Sequence, residues 1–189
     1  MVEGVVPIQP GLTGGLSFII EDDYYINNLF IVESGRVRAI EVVSGWLSDP
    51  SETSLLFAAD WQTYSLAQVL QRYGQPQQVF LSLGGGSFGL LYHLILLYSD
   101  RGIAVSYQGL ADSEGGTIRA CPRLGKVWHI YLWLQSPEDR TPLLNRVFAN
   151  PEDLVSFRTL KEVTGMGMET FYETFKNPDS GVCLEGLPP

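Results

Sequence analysis

His93 and His129 are the only imidazoles in this 189-residue chain, and each falls in an apolar run that reads as a strand. On neighbouring strands they would point to the same face. Two imidazoles with no Cys, Asp or Glu beside them make an incomplete metal set, so half-buried sheet histidines are expected. Glu21-Asp22-Asp23 gathers carboxylates without the Asp-x-Asp-x-Asp-Gly spacing of a calcium loop and reads as a solvated turn. Glu138-Asp139 lies in a Pro-flanked loop, a poor place to hold a raised carboxyl pKa. There is no Gly-x-Ser-x-Gly elbow, and the sequence supports no hydrolase triad.

The run Gly84-Gly85-Gly86-Ser87-Phe88-Gly89 formally matches Gly-x-Gly-x-x-Gly and follows a strand. A dinucleotide site needs a helix to begin there, with its N–H groups toward the pyrophosphate and an acidic residue about 20 positions on. Leu90 to Tyr98 would have to be that helix, and Asp112 lies too far along for the ribose. No second βαβ unit follows, and Ser99 to Gly102 reads as a hairpin. A flexible strand connection is therefore the default. The alternative, a cytosolic nucleotide-binding or other small-ligand protein or enzyme, rests on this loop.

Cys121 and Cys183 show no Cys-x-x-Cys spacing for zinc or redox chemistry. A structural disulfide tying the tail to the sheet and two unrelated buried thiols both remain open. The aromatic residues are the stronger lead for binding. Tyr24, Tyr25, Trp46, Trp61, Tyr92, Tyr98, Tyr107, Trp128, Tyr131 and Trp133 exceed what one small core needs. Strand alternation puts Tyr131 and Trp133 on one face with Trp128 on the other. These three and Tyr107 form the candidate partner surface, since Trp and Tyr dominate interface hot spots. The competing expectation is that helices from both ends cover that face.

Composition bounds the rest. With 45% hydrophobic and 12% aromatic residues, the chain can build a sheet-rich core. A net charge of −9 argues against nucleic acid, whose binding rests on Lys and Arg meeting phosphates, and against anionic lipid. No run reaches the roughly 18 to 20 apolar residues of a membrane span. Met1-Val2-Glu3-Gly4 has no basic segment followed by an apolar one, which leaves a cytosolic protein or one whose leader has been removed.

The best-marked element is a helix over residues 65 to 73. Ser65 and Gln68 stand at capping-box spacing, Tyr64 and Val69 suit a hydrophobic staple, and Leu66, Val69, Leu70 and Tyr73 share one face. Gly74 and Pro76 end it. Before it, residues 1 to 15 read as an extended entry, followed by strands at Leu16–Ile20, Tyr24–Val32 and Arg36–Val43. Residues 46 to 60 read as a connection with a helical turn through Leu55, Leu56 and Phe57. After it, strands are expected at Gln78–Leu83, Leu90–Tyr98, Ile103–Tyr107, Thr117–Cys121 and Lys126–Leu134, with loops at Gly84–Gly86 and Gly109–Gly116. Residues 135 to 158 are polar. Thr159 and Glu162 then make a second capping box, Met168, Phe171, Tyr172 and Phe175 form another apolar stripe, and the tail from Asp179 is irregular unless Cys183 pins it.

A helix closing in Tyr73-Gly74-Gln75-Pro76 before three strands resembles the helix, Gly-x-Pro, β-meander repeat of small outer-membrane assembly lipoproteins and β-lactamase-inhibitor-like proteins. Residues 1 to 47 look like a similar meander without helices, since Gly35-Arg36-Val37-Arg38-Ala39-Ile40 matches the usual last strand. The whole chain is similar to uncharacterised exported bacterial lipoproteins with this Tyr-Gly-x-Pro signal, an Ile-x-x-Cys-Pro strand, here Ile118 to Pro122, and a late Phe-Tyr helix followed by a Cys. The resemblance implies an exported protein anchored by a lipidated cysteine upstream, with Cys121 bonded to Cys183. Characterised relatives bind other proteins; none of their contact residues transfers by motif.

The expectation is an α+β chain: an antiparallel β-meander sheet, read as up to two repeats, covered by a few short helices. Residues 1–47 form a first half-repeat, 48–135 a helix plus meander repeat, and 136–189 a helical segment and tail. The expected function is non-enzymatic protein binding or assembly at the bacterial cell envelope, with no cofactor, metal or catalytic residue, no nucleic acid and no membrane span.

Overall fold

The computed structural model describes residues 14–19, 24–33, 36–46, 61–86, 89–123, 127–139, 142–148 and 157–187. The expected entry segment before residue 14, the helical turn at Leu55–Phe57 and the acidic turn Glu21–Asp23 lie outside them. Ten strands are described, β1 (Gly14–Ile19), β2 (Tyr24–Glu33), β3 (Arg36–Trp46), β4 (Gln78–Gly86), β5 (Gly89–Tyr98), β6 (Ile103–Glu114), β7 (Thr117–Ala120), β8 (Val127–Gln135), β9 (Arg158–Thr159) and β10 (Leu184–Gly186). The helices are α1 (Leu66–Tyr73), α2 (Leu143–Val147), α3 (Leu160–Thr164) and α4 (Met168–Phe175).

All the ladders are antiparallel, in the order β1-β2-β3-β8-β6-β5-β4-β9, with β7 bridging the far end of β6 to β10. The late strand β8 enters between β3 and β6, so the N-terminal strands and those after α1 share one continuous ladder. The fold is therefore an antiparallel sheet with a few short helices.

Strand β5 shows why the centre of the sheet is so apolar. Leu94, Ile95, Leu96 and Leu97 are all buried, on alternating sides of the pleat, so both faces of this strand are covered. Each leucine so buried contributes about 1.5–3 kcal/mol. One face meets α1, α3 and α4 in a cluster built on Leu70, Leu81, Tyr98, Leu160 and Phe171. The opposite face carries a smaller cluster in which Leu143 and Phe148 lie against Ile95, Leu97, Ala104 and Trp133.

Helix α1 starts and stops where the sequence marks it. The Ser65 hydroxyl accepts the Gln68 N–H, and the Gly74 N–H reaches the Leu70 carbonyl with φ at 77°. The box is only half made, because the Ser65 N–H donates to the Gln62 carbonyl (3.0 Å) rather than to the Gln68 side chain. Two tyrosines tie α1 to the sheet: Tyr107 donates to the Tyr64 carbonyl (2.8 Å) and Tyr98 to the Gly74 carbonyl (3.1 Å). The Thr159–Glu162 box is complete, and Phe171 and Phe175 bury the stripe of α4.

Three expectations need correcting. Gly84–Gly86 is pleated strand, because it continues the β4–β5 ladder to Gly86↔Gly89. Gly109–Gly116 is mostly strand as well: a register shift at Gln108/Gly109 lets β6 leave β8, and residues 111–114 then pair with β7. The small Gly109 and Ala111 suit this bend. The polar stretch after 135 contains α2, whose Leu143, Leu144 and Val147 cover the smaller cluster. The tail, expected to be irregular unless Cys183 pinned it, is pinned by the Cys121–Cys183 bond and ordered as β10 on β7.

Candidate functional site

Both histidines face the side of the sheet that carries α2. They stand on β5 and β8 with β6 between them, in one register: His93 opposite Gln108, and Gln108 opposite His129. The His93 Nε2 is hydrogen-bonded to the Ser106 hydroxyl, and His129 Nδ1 lies 3.0 Å from Gln108 Oε1. Phe157 meets the His93 ring edge-on at 4.9 Å and Trp128 stacks on His129 at 4.8 Å. Burial, and then the neighbouring charge of His129, lowers the His93 pKa to about 4; burial lowers His129 to about 4 as well.

This belt holds two neutral imidazoles near neutral pH. Among the described residues, no set of three His, Cys, Asp or Glu could hold a metal ion. Ser106 is fully buried in mid-strand, so its hydroxyl satisfies the imidazole and is closed to an incoming substrate. A hollow of about 200 Å³ opens beside His93, lined by Ser82, Gly84, Gly85, Gln108 and Phe157 among others. It lies over pleated strand. Because Leu90–Tyr98 belongs to β5, the segment that would have to supply the helix N-terminus of a dinucleotide site is strand instead.

The predicted aromatic surface separates into two groups. Tyr107 is fully buried and committed to α1, and Trp61, Tyr92 and Tyr98 are core as well. This corrects the expectation that they are spare: six-membered rings on β5 and β6 fill the space beneath the helices. Trp133 is 8% exposed, covered from the α2 side, and its indole donates to Glu41, whose pKa burial nevertheless raises. Tyr131 and Trp128 remain half-buried. Tyr131 stacks on Trp133 at 5.6 Å with planes 10° apart and meets His129 at 5.9 Å, so His129, Tyr131 and Trp133 form a ring-to-ring row along β8, which Trp128 joins through His129 while also packing against the larger cluster on the other face, as the alternation predicts. Strand alternation in the sequence marked Tyr131 and Trp133 as sharing a face; the ring contacts of His129 with its neighbours were legible only once the register placed them.

Glu138 takes both Arg36 (3.3 Å) and Arg38 (3.1 Å) on an exposed edge, an ion-pair cluster rather than an acid–base pair. The side chains of Tyr24, Tyr25 and Trp46 lie outside the described residues. Cys121 and Cys183 form a disulfide across 62 positions. It joins the end of β7 to the start of β10 and points to an oxidising compartment. No helix among the described residues is long and apolar enough to cross a membrane. No protein-family model, curated protein or solved structure matches the chain.

Proposed function

We propose that this chain is an exported, non-enzymatic binding or assembly protein of the bacterial cell envelope, held near the membrane by a lipid anchor upstream of Met1. The observation that carries the reading is the disulfide between Cys121 and Cys183, since such staples persist where thiols are not kept reduced. The Tyr-Gly-x-Pro signal and the two runs of consecutive strands, β1–β3 and β4–β6, support the likeness to meander-repeat lipoproteins that bind other proteins. Within that reading the partner is a protein, and the row along β8 is its contact. Tyr131 and Trp128 have the amphipathic rings that anchor interfaces, and on this row both remain half-buried.

The test uses the oxidised full chain immobilised against envelope extract of its host. Wild type and Tyr131→Phe retain a common partner at fixed stoichiometry, whereas Tyr131→Ala, still folded by circular dichroism, loses it. Equal retention by Tyr131→Ala, or retention of nothing by wild type, overturns the proposal.

A further inference from the structure

A second concavity lies away from the β8 row, where the start of α1, the end of α4 and the two segments leaving the disulfide converge. It encloses about 440 Å³, within the range of small-molecule sites. Its floor is apolar: Leu66, Ala67 and Phe175 are buried side chains of the two helices, and Pro122 closes one end. Val182, 44% exposed, stands on the rim.

One polar feature gives the groove a direction. Arg123 is the only charged side chain among the described residues lining it, and among the described residues no carboxylate is paired with it. Among the described residues its guanidinium donates to the Ser180 carbonyl, at 3.5 Å. Ser180 lines the same groove, with its hydroxyl turned away from solvent and without a hydrogen-bond partner among the described residues. An arginine beside an apolar floor is suited to a carboxylate, which accepts from the guanidinium.

We infer that this groove binds a small amphipathic carboxylate, with Arg123 taking the head group and the floor between α1 and α4 taking the apolar body. The inference does not rest on the proposed partner surface, which lies on β8. The net charge of −9 does not by itself oppose it, because screening confines charge effects to about 8 Å at physiological salt. The same acidity selects against extended polyanions and anionic membranes.

Calorimetric titration of the oxidised full chain with decanoate, below its micelle concentration, tests this, with 1-decanol and acetate as probes lacking the charge or the body. Wild type binds decanoate saturably at one per chain and binds either control at least tenfold more weakly. Arg123→Gln and Val182→Glu, both at exposed positions and both checked for an intact disulfide by mass, weaken decanoate at least tenfold. Absence of saturable binding, equal affinity for decanol, or unchanged affinity in Arg123→Gln overturns the inference.

Discussion

Two buried tyrosines of the same core make opposite predictions. Tyr107 donates to the Tyr64 carbonyl, whereas the Tyr92 hydroxyl is buried with no partner among the described residues, and burial drives its pKa far up. Tyr107→Phe leaves a buried carbonyl unpaired and lowers stability by about 1–3 kcal/mol. Tyr92→Phe removes an unsatisfied group and leaves stability unchanged or raises it by about 1 kcal/mol; urea unfolding of the two variants reads the difference. The histidines predict a pH dependence. Their folded pKa values, about 4, lie below the unfolded value, so the unfolded chain binds more protons and stability falls as pH drops from about 6.5 to 4. At about 1.4 kcal/mol per pH unit, His93 alone withdraws roughly 3 kcal/mol over that interval. The raised Glu41 pKa acts in the opposite sense, because acid relieves the cost of its buried charge. Unfolding at pH 7, 5 and 4 therefore shows a loss that His93→Gln reduces; an unchanged slope in both His93→Gln and His129→Gln contradicts this assignment. At this scale the sequence identified the chemistry-bearing residues but could not show that Gln108 and Ser106 complete the belt, since cross-strand partners depend on register.

Elements were legible where local signals suffice. Ser65, Gly74 and the complete Thr159–Glu162 box mark helix ends by backbone hydrogen bonds within a few residues, and the structure places α1 and α3 there. The hairpin at Ser99–Gly102 was equally plain: Gly102 has φ 63°, and a Cβ there would stand 2.7 Å from the Gln135 carbonyl oxygen. Glycine runs misled for the opposite reason. At Gly84 and Gly85 an added Cβ would meet nothing, so these glycines read as loop although long-range pairing draws them into β4. Helix α2 and strand β10 carry weak local patterns and exist because of what they cover, the Ile95–Trp133 cluster and the β7 edge. Strand β10 also sits unusually close to α3. A Cβ at Gly186 would lie 2.7 Å from Val163 Cγ1 and 2.9 Å from its carbonyl oxygen, and backbone cannot yield as a flexible side chain does. Gly186→Ala is expected to destabilise by about 1–3 kcal/mol, seen as a lowered melting temperature; a neutral result would mean that β10 is not seated on α3.

At the scale of the whole molecule, the sheet is assembled from distant pieces, with β3 meeting β8, β4 meeting β9 and β7 meeting β10. Such pairings were the least legible part of the sequence, because strand order is set by which apolar faces must be covered rather than by any local signal. The disulfide closes the last of these pieces. Spanning 62 positions, it stabilises mainly by restricting the unfolded chain, and its removal in a Cys121→Ser, Cys183→Ser double variant costs about 2–4 kcal/mol, several degrees in melting temperature for a chain of this size. The same bond is the main support for export, and its state in the living cell tests that claim most directly. Host cells are quenched in acid, alkylated without reductant, and the protein is weighed intact and after digestion. An exported envelope protein gives no alkylated thiol and a Cys121–Cys183 linked peptide. Two alkylated cysteines in the quenched cells would place the chain in a reducing compartment and contradict the account.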